Sequence, residues 1–337
     1  MKQDDLAVLD CEPAAPEVKA ARKFVAETYK AAKPTYKVVN ILELANHHFK
    51  PREQILSPWC LTQSLNMIYA WRGVGKTHVA LGIAFAIATG GAFLCWRASK
   101  RRKVIYLDGE MPGASLQTRL TALIANSDAD FDPNYFRILT PDMQEGAMPD
   151  ICSLEGQLAV EDLIEDAEVI VVDNLSSLAR SGGNENAAES VEMTSGWALR
   201  MRQQGRTVIF IHHSGKGGEQ RGTSKREDIL DVVVSLKRPP DYQPTEGAKF
   251  EVHFQKGRDL QGDDAEPFEA ALLTDPDGRQ TWAISKLEDS TFDRVVALSN
   301  EGLSQSEIAL ELNINKSNVS RHVKKGRELG MIKGDGK

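Results

Sequence analysis

The chain has 337 residues, 41% of them hydrophobic, which is enough to bury one substantial core and to carry a small appended domain. Acidic residues outnumber basic ones by 48 to 41, so nucleic-acid binding would have to come from a local basic patch. No C-x-x-C pair occurs among Cys11, Cys60, Cys95 and Cys152, which excludes a zinc ribbon and favours a reducing compartment. No signal peptide or membrane-spanning run is visible, so we expect a soluble, cytoplasmic protein.

Residues 1–50 form a polar extension that precedes the main apolar pattern. Within it, Val18, Phe24, Val25 and Tyr29 recur near helical spacing and predict an amphipathic helix over residues 15–32. This helix packs either on the core of its own chain or on a neighbouring subunit.

Residues 70–77 are the most informative segment of the chain. They match the phosphate-binding P-loop, G-x-x-x-x-G-K-[ST], except that alanine replaces the first glycine. An apolar run, 65–69, precedes the loop and an alanine-rich segment, 78–89, follows it, in the strand, loop and helix order that a P-loop requires. Alanine at position 70 is tolerated if its φ stays negative.

In a P-loop, backbone N–H groups and the N-terminus of the next helix bind phosphate oxygens. Lys76 would reach the β- and γ-phosphates, and the Thr77 hydroxyl would coordinate Mg²⁺. The alternative is a glycine-rich turn that binds nothing. We expect the nucleotide to contact Arg72, Gly73, Val74, Gly75, Lys76, Thr77 and His78.

Residues 51–287 alternate between apolar runs and helical stretches, which favours an α/β core with a mostly parallel sheet covered by helices on both faces. One of the helices should end at Gly90-Gly91. Several runs lack polar alternation, as expected for strands buried on both faces. The predicted strands are 65–69, 104–107, 169–172, 208–211, 232–236 and 250–254.

Polar side chains follow three of these strands. Glu110 is the candidate general base that activates the attacking water, with Asp108 as its competitor, and either residue could instead only cap the following turn. Asp173 ends a run with the form of a Walker B strand and would hold Mg²⁺. His213 is the candidate sensor of the γ-phosphate, whereas His212 is more simply explained as a core residue.

These motifs, together with Arg221-Gly222-Thr223-Ser224, resemble the RecA-like hexameric ATPases, particularly the replicative helicases of plasmids and phages (RepA-type) and their mobile-element relatives. The resemblance implies a hexameric ring that hydrolyses ATP at subunit interfaces, with Arg221 or Arg258 as the arginine finger. It also implies two loops that grip single-stranded DNA in a central channel, 179–189 and 214–222, the second containing Lys216. The first loop has few positive charges, and a plain surface loop is an equal alternative there.

Residues 288–337 resemble a small all-α helix-turn-helix domain. A first helix is predicted around residues 292–299, and Ser304 and Glu307 form a capping box that opens the second. The third, 316–329, is rich in lysine and arginine, and the alternative for this domain is protein contact alone. The residues expected to contact duplex DNA are Lys316, Ser317, Asn318, Ser320, Arg321, Lys324, Lys325 and Arg327.

Together these motifs predict an ATP-dependent DNA helicase or translocase that acts in the replication of a plasmid, phage or integrated element. The alternative is an ATP-gated DNA-binding regulator or loader that does not unwind DNA. A recombination or repair ATPase is disfavoured because the cysteines form no zinc ribbon.

Overall fold

The structure, a computed structural model, describes residues 36–127, 132–180, 188–214, 228–240 and 242–332. The chain divides into two compact units, Met1–Pro51 and Arg52–Lys337. In the first unit, the described residues contain the short helix α1 (Ile41–Ala45), which begins at a capping box of Asn40 and Glu43. The helix predicted at 15–32 lies outside the described residues.

The second unit is an α/β structure whose described strands belong to two sheets. The strands are β1 (Gln54–Ser57), β2 (Cys60–Leu61), β3 (Leu65–Ala70), β4 (Ala92–Phe93), β5 (Trp96–Ala98), β6 (Val104–Asp108), β7 (Phe136–Leu139), β8 (Val169–Asp173), β9 (Thr207–His213), β10 (Val232–Lys237), β11 (Lys249–Gly257), β12 (Phe268–Thr274) and β13 (Gln280–Lys286). The helices are α2 (Lys76–Thr89), α3 (Gly113–Ala125), α4 (Leu154–Leu163), α5 (Leu175–Leu178), α6 (Ala188–Gln203), α7 (Leu287–Asn300), α8 (Gln305–Glu311) and α9 (Lys316–Glu328).

The larger sheet has nine strands in the order β13-β12-β11-β10-β3-β9-β8-β6-β7. From β10 to β7 all neighbours are parallel, whereas β10 to β13 are antiparallel. The mostly parallel α/β class is therefore confirmed, and all six predicted strands are present. Three features were not predicted from the sequence: β7, the hairpin of β12 and β13, and the four-stranded sheet β2-β1-β5-β4.

The order of the parallel strands determines where the polar strand ends meet. Ala70 is paired with His213, and Asp173 with Asp108, across neighbouring strands. The carboxyl ends of β3, β9, β8 and β6 therefore lie along one edge of the sheet, where ligands bind in open α/β folds.

Helices cover both faces of the larger sheet, as predicted. Helix α2 is almost completely buried and ends at Gly90, whose φ of +71° is the left-handed cap expected there. The hydrophobic core around α2 also contains residues of the smaller sheet, including Trp96. On the opposite face, Trp197 of α6 lies in a second core with residues of α4 and α5. No helix among the described residues is long and apolar enough to cross a membrane.

The C-terminal helical region consists of α7, α8 and α9, packed around Val295, Ile308 and Val319. The predicted capping box of Ser304 and Glu307 is present. Helix α7 follows β13 without a linker, and Arg294 on α7 forms ion pairs with Glu251 and Glu269 of the sheet. The three ionic side chains are only 11–12% exposed, so they hold the helical region against the sheet.

Candidate nucleotide-binding site

The loop between β3 and α2 has the backbone conformation of a phosphate-binding turn. Gly73 and Gly75 have φ values of +76° and +116°, which glycine adopts without steric cost. Ala70 is not among the described residues with positive φ, because it is still the last residue of β3. Replacement of the first glycine therefore does not disturb the loop. Gly75 provides no side-chain cap, so N–H groups in the first turn of α2 remain able to bind an anion.

Lys76 lies across this loop and is buried. Its Nζ donates to the carbonyl oxygens of Ala70 and Trp71, both at 3.0 Å. Burial lowers the pKa of Lys76 to about 8, opposed by the carboxylates of Asp173 and Glu110. A partly desolvated ammonium group beside a glycine-rich turn is suited to binding phosphate oxygens.

A cleft of about 820 Å³ opens above the loop. It brings together residues from the P-loop and from the ends of β6, β8 and β9. Val74 is the one predicted nucleotide contact that does not line the cleft, because its side chain is buried in the core. The lining includes Arg72, Gly73, Gly75, Lys76, Thr77, His78, Glu110, Ser115, Arg119, Asp173, Asn174, His213, Gly247 and Ala248.

Asp173 and Thr77 together have the chemistry of a Mg²⁺ site. The Thr77 hydroxyl hydrogen-bonds to the Asp173 carboxyl group, and burial raises the pKa of that group to about 6. The nearby carboxylates of Asp108 and Glu110 raise it further. A hydroxyl and a carboxylate are hard oxygen ligands, and the surplus negative charge favours a divalent cation. These residues therefore fit Mg²⁺ bound together with triphosphate oxygens.

Glu110 and Asp108 have different environments. Glu110 lines the cleft, and its side chain is 58% exposed. Asp108 is buried: one of its oxygens accepts from Thr140 Oγ1 at 2.7 Å and the other from the backbone N–H groups of Glu110 and Met111. With both oxygens engaged, Asp108 is placed to shape the loop that carries Glu110, and it does not line the cleft.

His213 lies beside the candidate base at the end of β9. Its Nε2 is 3.8 Å from Glu110 Oε1, and the ring lines the cleft. His212 points to the other side of the strand and is fully buried, in agreement with its interpretation as a core residue. The two histidine side chains therefore lie on opposite faces of the sheet, as expected for successive residues of a strand.

Gly109 lies between Asp108 and Glu110 and is packed without space for a side chain. Its N–H donates to the carbonyl oxygen of Asp173 at 2.7 Å, and a Cβ would overlap Ser177 and Leu178. We expect Gly109→Ala to lower the free energy of unfolding by about 1–3 kcal/mol, measured by urea denaturation. In Gly146→Ala, where a Cβ would meet nothing within 4 Å, the change should stay within about 0.5 kcal/mol. Equal stability of the two variants would contradict this packing.

Arg258 lies near the amino ends of β10 and β3, whereas the cleft lies at the carboxyl ends of the parallel strands. Its backbone N–H donates to the carbonyl oxygen of Asp231, directly before β10, and its guanidinium is 3.8 Å from the Asp231 carboxylate. Strand β3 begins at this end of the sheet and spans roughly 17 Å to the P-loop. Arg258 is therefore remote from the cleft of its own chain. The other predicted finger, Arg221, and Lys216 lie outside the described residues, as does most of the loop 179–189.

On the C-terminal helical region, the predicted DNA-contacting residues of α9 lie on its outer side. Lys316, Ser317, Ser320, Arg321, Lys324 and Lys325 are exposed, whereas Asn318 is half-buried. Arg321 is 3.6 Å from Glu288, and Lys325 lies 4.7 Å above the ring of Phe292. Val319, His322 and Val323 form the buried side of the helix.

Several residues around the cleft were not predicted from the sequence. Arg238, at the end of β10, donates to the carbonyl oxygen of Gly73 at 3.1 Å, and Ala248 lies near Gly75. Tyr106 donates a hydrogen bond to Asp173. Arg238 and Ala248 lie far from the P-loop in sequence and follow no motif, so only the pairing of β11 with β10 and of β10 with β3 brings them there. The sequence does contain a signal for Tyr106, because it is a polar side chain within an apolar strand.

Comparison with known proteins gives two findings. The model of the AAA domain family matches residues 32–219, which is more than half of the chain. Among solved structures, the KaiC-like protein PH0186 from the hyperthermophilic archaeon Pyrococcus horikoshii OT3 is similar, with 14% sequence identity and a TM-score of 0.47 over 68% of this chain and 93% of that one.

Proposed function

The chain belongs to the AAA domain family and is thus a P-loop ATPase; from this premise we propose that it is an ATP-dependent DNA helicase or translocase. It would act as a hexameric ring, in the manner of the family it resembles, in replication of a plasmid, phage or other mobile element. ATP and Mg²⁺ would bind in the cleft above residues 70–77. Single-stranded DNA would pass through the ring, and duplex DNA would bind the C-terminal helices.

The observation that supports a ring is the separation of Arg258 from the cleft of its own chain. A P-loop ATPase gains much of its rate from an arginine that stabilises charge on the transferred phosphoryl group. Two arginines of the chain itself, Arg72 and Arg119, line the cleft, whereas Arg258 is half-exposed at the opposite end of the strands. Head-to-tail association would place that end of one subunit against the cleft of the next, and such contacts close into rings.

The residues of the cleft would have different roles in ATP hydrolysis. Lys76 and the P-loop N–H groups bind the phosphates, and Thr77 and Asp173 would hold Mg²⁺, which neutralises charge that develops on the phosphate oxygens. Glu110 is exposed in the cleft and accepts a proton from the attacking water. His213, close to Glu110, is placed to respond to the γ-phosphate and to transmit its loss to the loop that follows β9.

The basic outer side of α9 supports DNA binding by the C-terminal helices. A capped helix, a turn at Asn313 with φ of +50° and a following basic helix are the parts of a helix-turn-helix. The protein as a whole carries a formal charge of −7. DNA would therefore contact this end, and the affinity should fall steeply with added salt.

Strand displacement on a forked DNA substrate tests the helicase directly. We expect the wild-type protein to open the fork with ATP and Mg²⁺, and Lys76→Ala to open none because the phosphates lose their charged ligand. ATP hydrolysis by the wild type without fork opening would reject the helicase. ATP-dependent binding of duplex DNA in the same samples would then support the second candidate, an ATP-gated regulator or loader, which the basic α9 helix favours.

A further inference from the structure

Tyr106 is a polar side chain in the interior of strand β6, two residues before Asp108. It is fully buried, and its hydroxyl donates a hydrogen bond to Oδ2 of Asp173 on the neighbouring strand β8. The ring packs edge-to-face on Phe136, with 6.3 Å between the ring centroids. Phenylalanine would fill the same space, so packing alone does not require the hydroxyl.

The hydrogen bond restricts the orientation of the Asp173 carboxylate. Asp173 is the last residue of its strand and is 5% exposed, and the hydrogen bonds that its carboxyl group accepts select among its side-chain rotamers. Two hydroxyls, those of Tyr106 and Thr77, bond to its carboxyl group. The tyrosine approaches from the buried interior, whereas Thr77 lines the cleft.

We propose that Tyr106 is a positioning residue that holds the Asp173 carboxylate in the orientation required to bind Mg²⁺ with the nucleotide. It acts from within the sheet and touches neither substrate nor cation. A ligand held in place before binding loses less conformational entropy on binding, and partners in the outer shell of a metal site typically change metal affinity 10- to 100-fold. The proposal rests on the nucleotide site of the proposed function.

The test is Tyr106→Phe, with two measurements. The first is the affinity for a fluorescent ADP analogue, titrated with Mg²⁺ and with EDTA. We expect the affinity in EDTA to match the wild type and the gain on adding Mg²⁺ to shrink roughly tenfold. The second is ATPase activity, for which the Mg²⁺ concentration at half-maximal rate should rise by about the same factor, with little change in KM for ATP at saturating Mg²⁺.

Tyr135→Phe is the matched control, because Tyr135 is a half-buried tyrosine in the turn before β7 and does not line the cleft. It should retain wild-type Mg²⁺ dependence. A wild-type response of Tyr106→Phe in both measurements would overturn the positioning role, and so would an equal loss of affinity in EDTA and in Mg²⁺. If the wild type binds the ADP analogue but hydrolyses no ATP, the proposed function fails while the binding measurement still decides the role of Tyr106.

Discussion

Arg258→Ala should lower kcat for ATP hydrolysis roughly 10³- to 10⁵-fold, the range found for arginine fingers. Arginine suits this role because its planar, permanently charged guanidinium matches phosphate oxygens. Arg258 is anchored through its backbone N–H to Asp231, and its half-exposed side chain extends from the end of the strands opposite to the cleft. Nucleotide affinity of the isolated subunit should change little, because the residue is remote from the cleft of its own chain.

Mixed oligomers show whether the arginine acts on a neighbouring subunit. Lys76→Ala subunits keep Arg258 but lack the phosphate-binding lysine, whereas Arg258→Ala subunits have the opposite defect. Mixing the two should restore part of the ATPase activity, since some interfaces combine an intact cleft with an intact finger. Arg52→Ala is the control, because Arg52 also lies near Asp231, at 3.7 Å, and its loss should leave kcat near the wild-type value.

Arg221 remains the competing finger and is tested in the same mixture. If Arg221→Ala subunits complement Lys76→Ala while Arg258→Ala hydrolyses ATP at the normal rate, then Arg221 is the finger. Failure of both variants to complement would mean that neither arginine acts across an interface.

Glu110→Gln should retain ATP binding and reduce turnover roughly 10²- to 10⁴-fold, the usual contribution of a general base. Glutamine preserves the size of the side chain and removes its ability to accept a proton. Binding is measured with a fluorescent ATP analogue and turnover by phosphate release. The charge next to His213 is also lost, which is a smaller effect because Glu110 is largely exposed.

Two variants separate this role from others nearby. Glu145→Gln changes an exposed acid that does not line the cleft and should behave as the wild type. Asp108→Asn keeps the shape of the buried residue but weakens its bonds to Thr140 and to the loop, so it should reduce stability as well as turnover. Normal phosphate release by Glu110→Gln would remove Glu110 from the reaction.

Much of the site was predictable because its signals are local. Lys76 and Thr77 belong to a motif whose residues are consecutive, and Glu110, Asp173 and His213 each follow an apolar run that reads as a buried strand. Parallel strands of one sheet present such ends at a common edge, so closeness in space follows from the pattern. The hairpin of β12 and β13 has a local signal in its turn, Asp275-Pro276-Asp277-Gly278, but its strands are partly exposed and give a weaker apolar pattern than the buried strands.

The sequence by itself determined the phosphate-binding loop, the six main strands and the capped C-terminal helices, because consecutive residues and short-range periodicity encode these features. Only the tertiary structure distinguished the environments of Asp108 and Glu110, because it buries one within hydrogen bonds and leaves the other in the cleft. It also linked Tyr106 to Asp173 and placed Arg258 away from the P-loop. These relations depend on strand order, which joins residues far apart in the chain and leaves no local pattern.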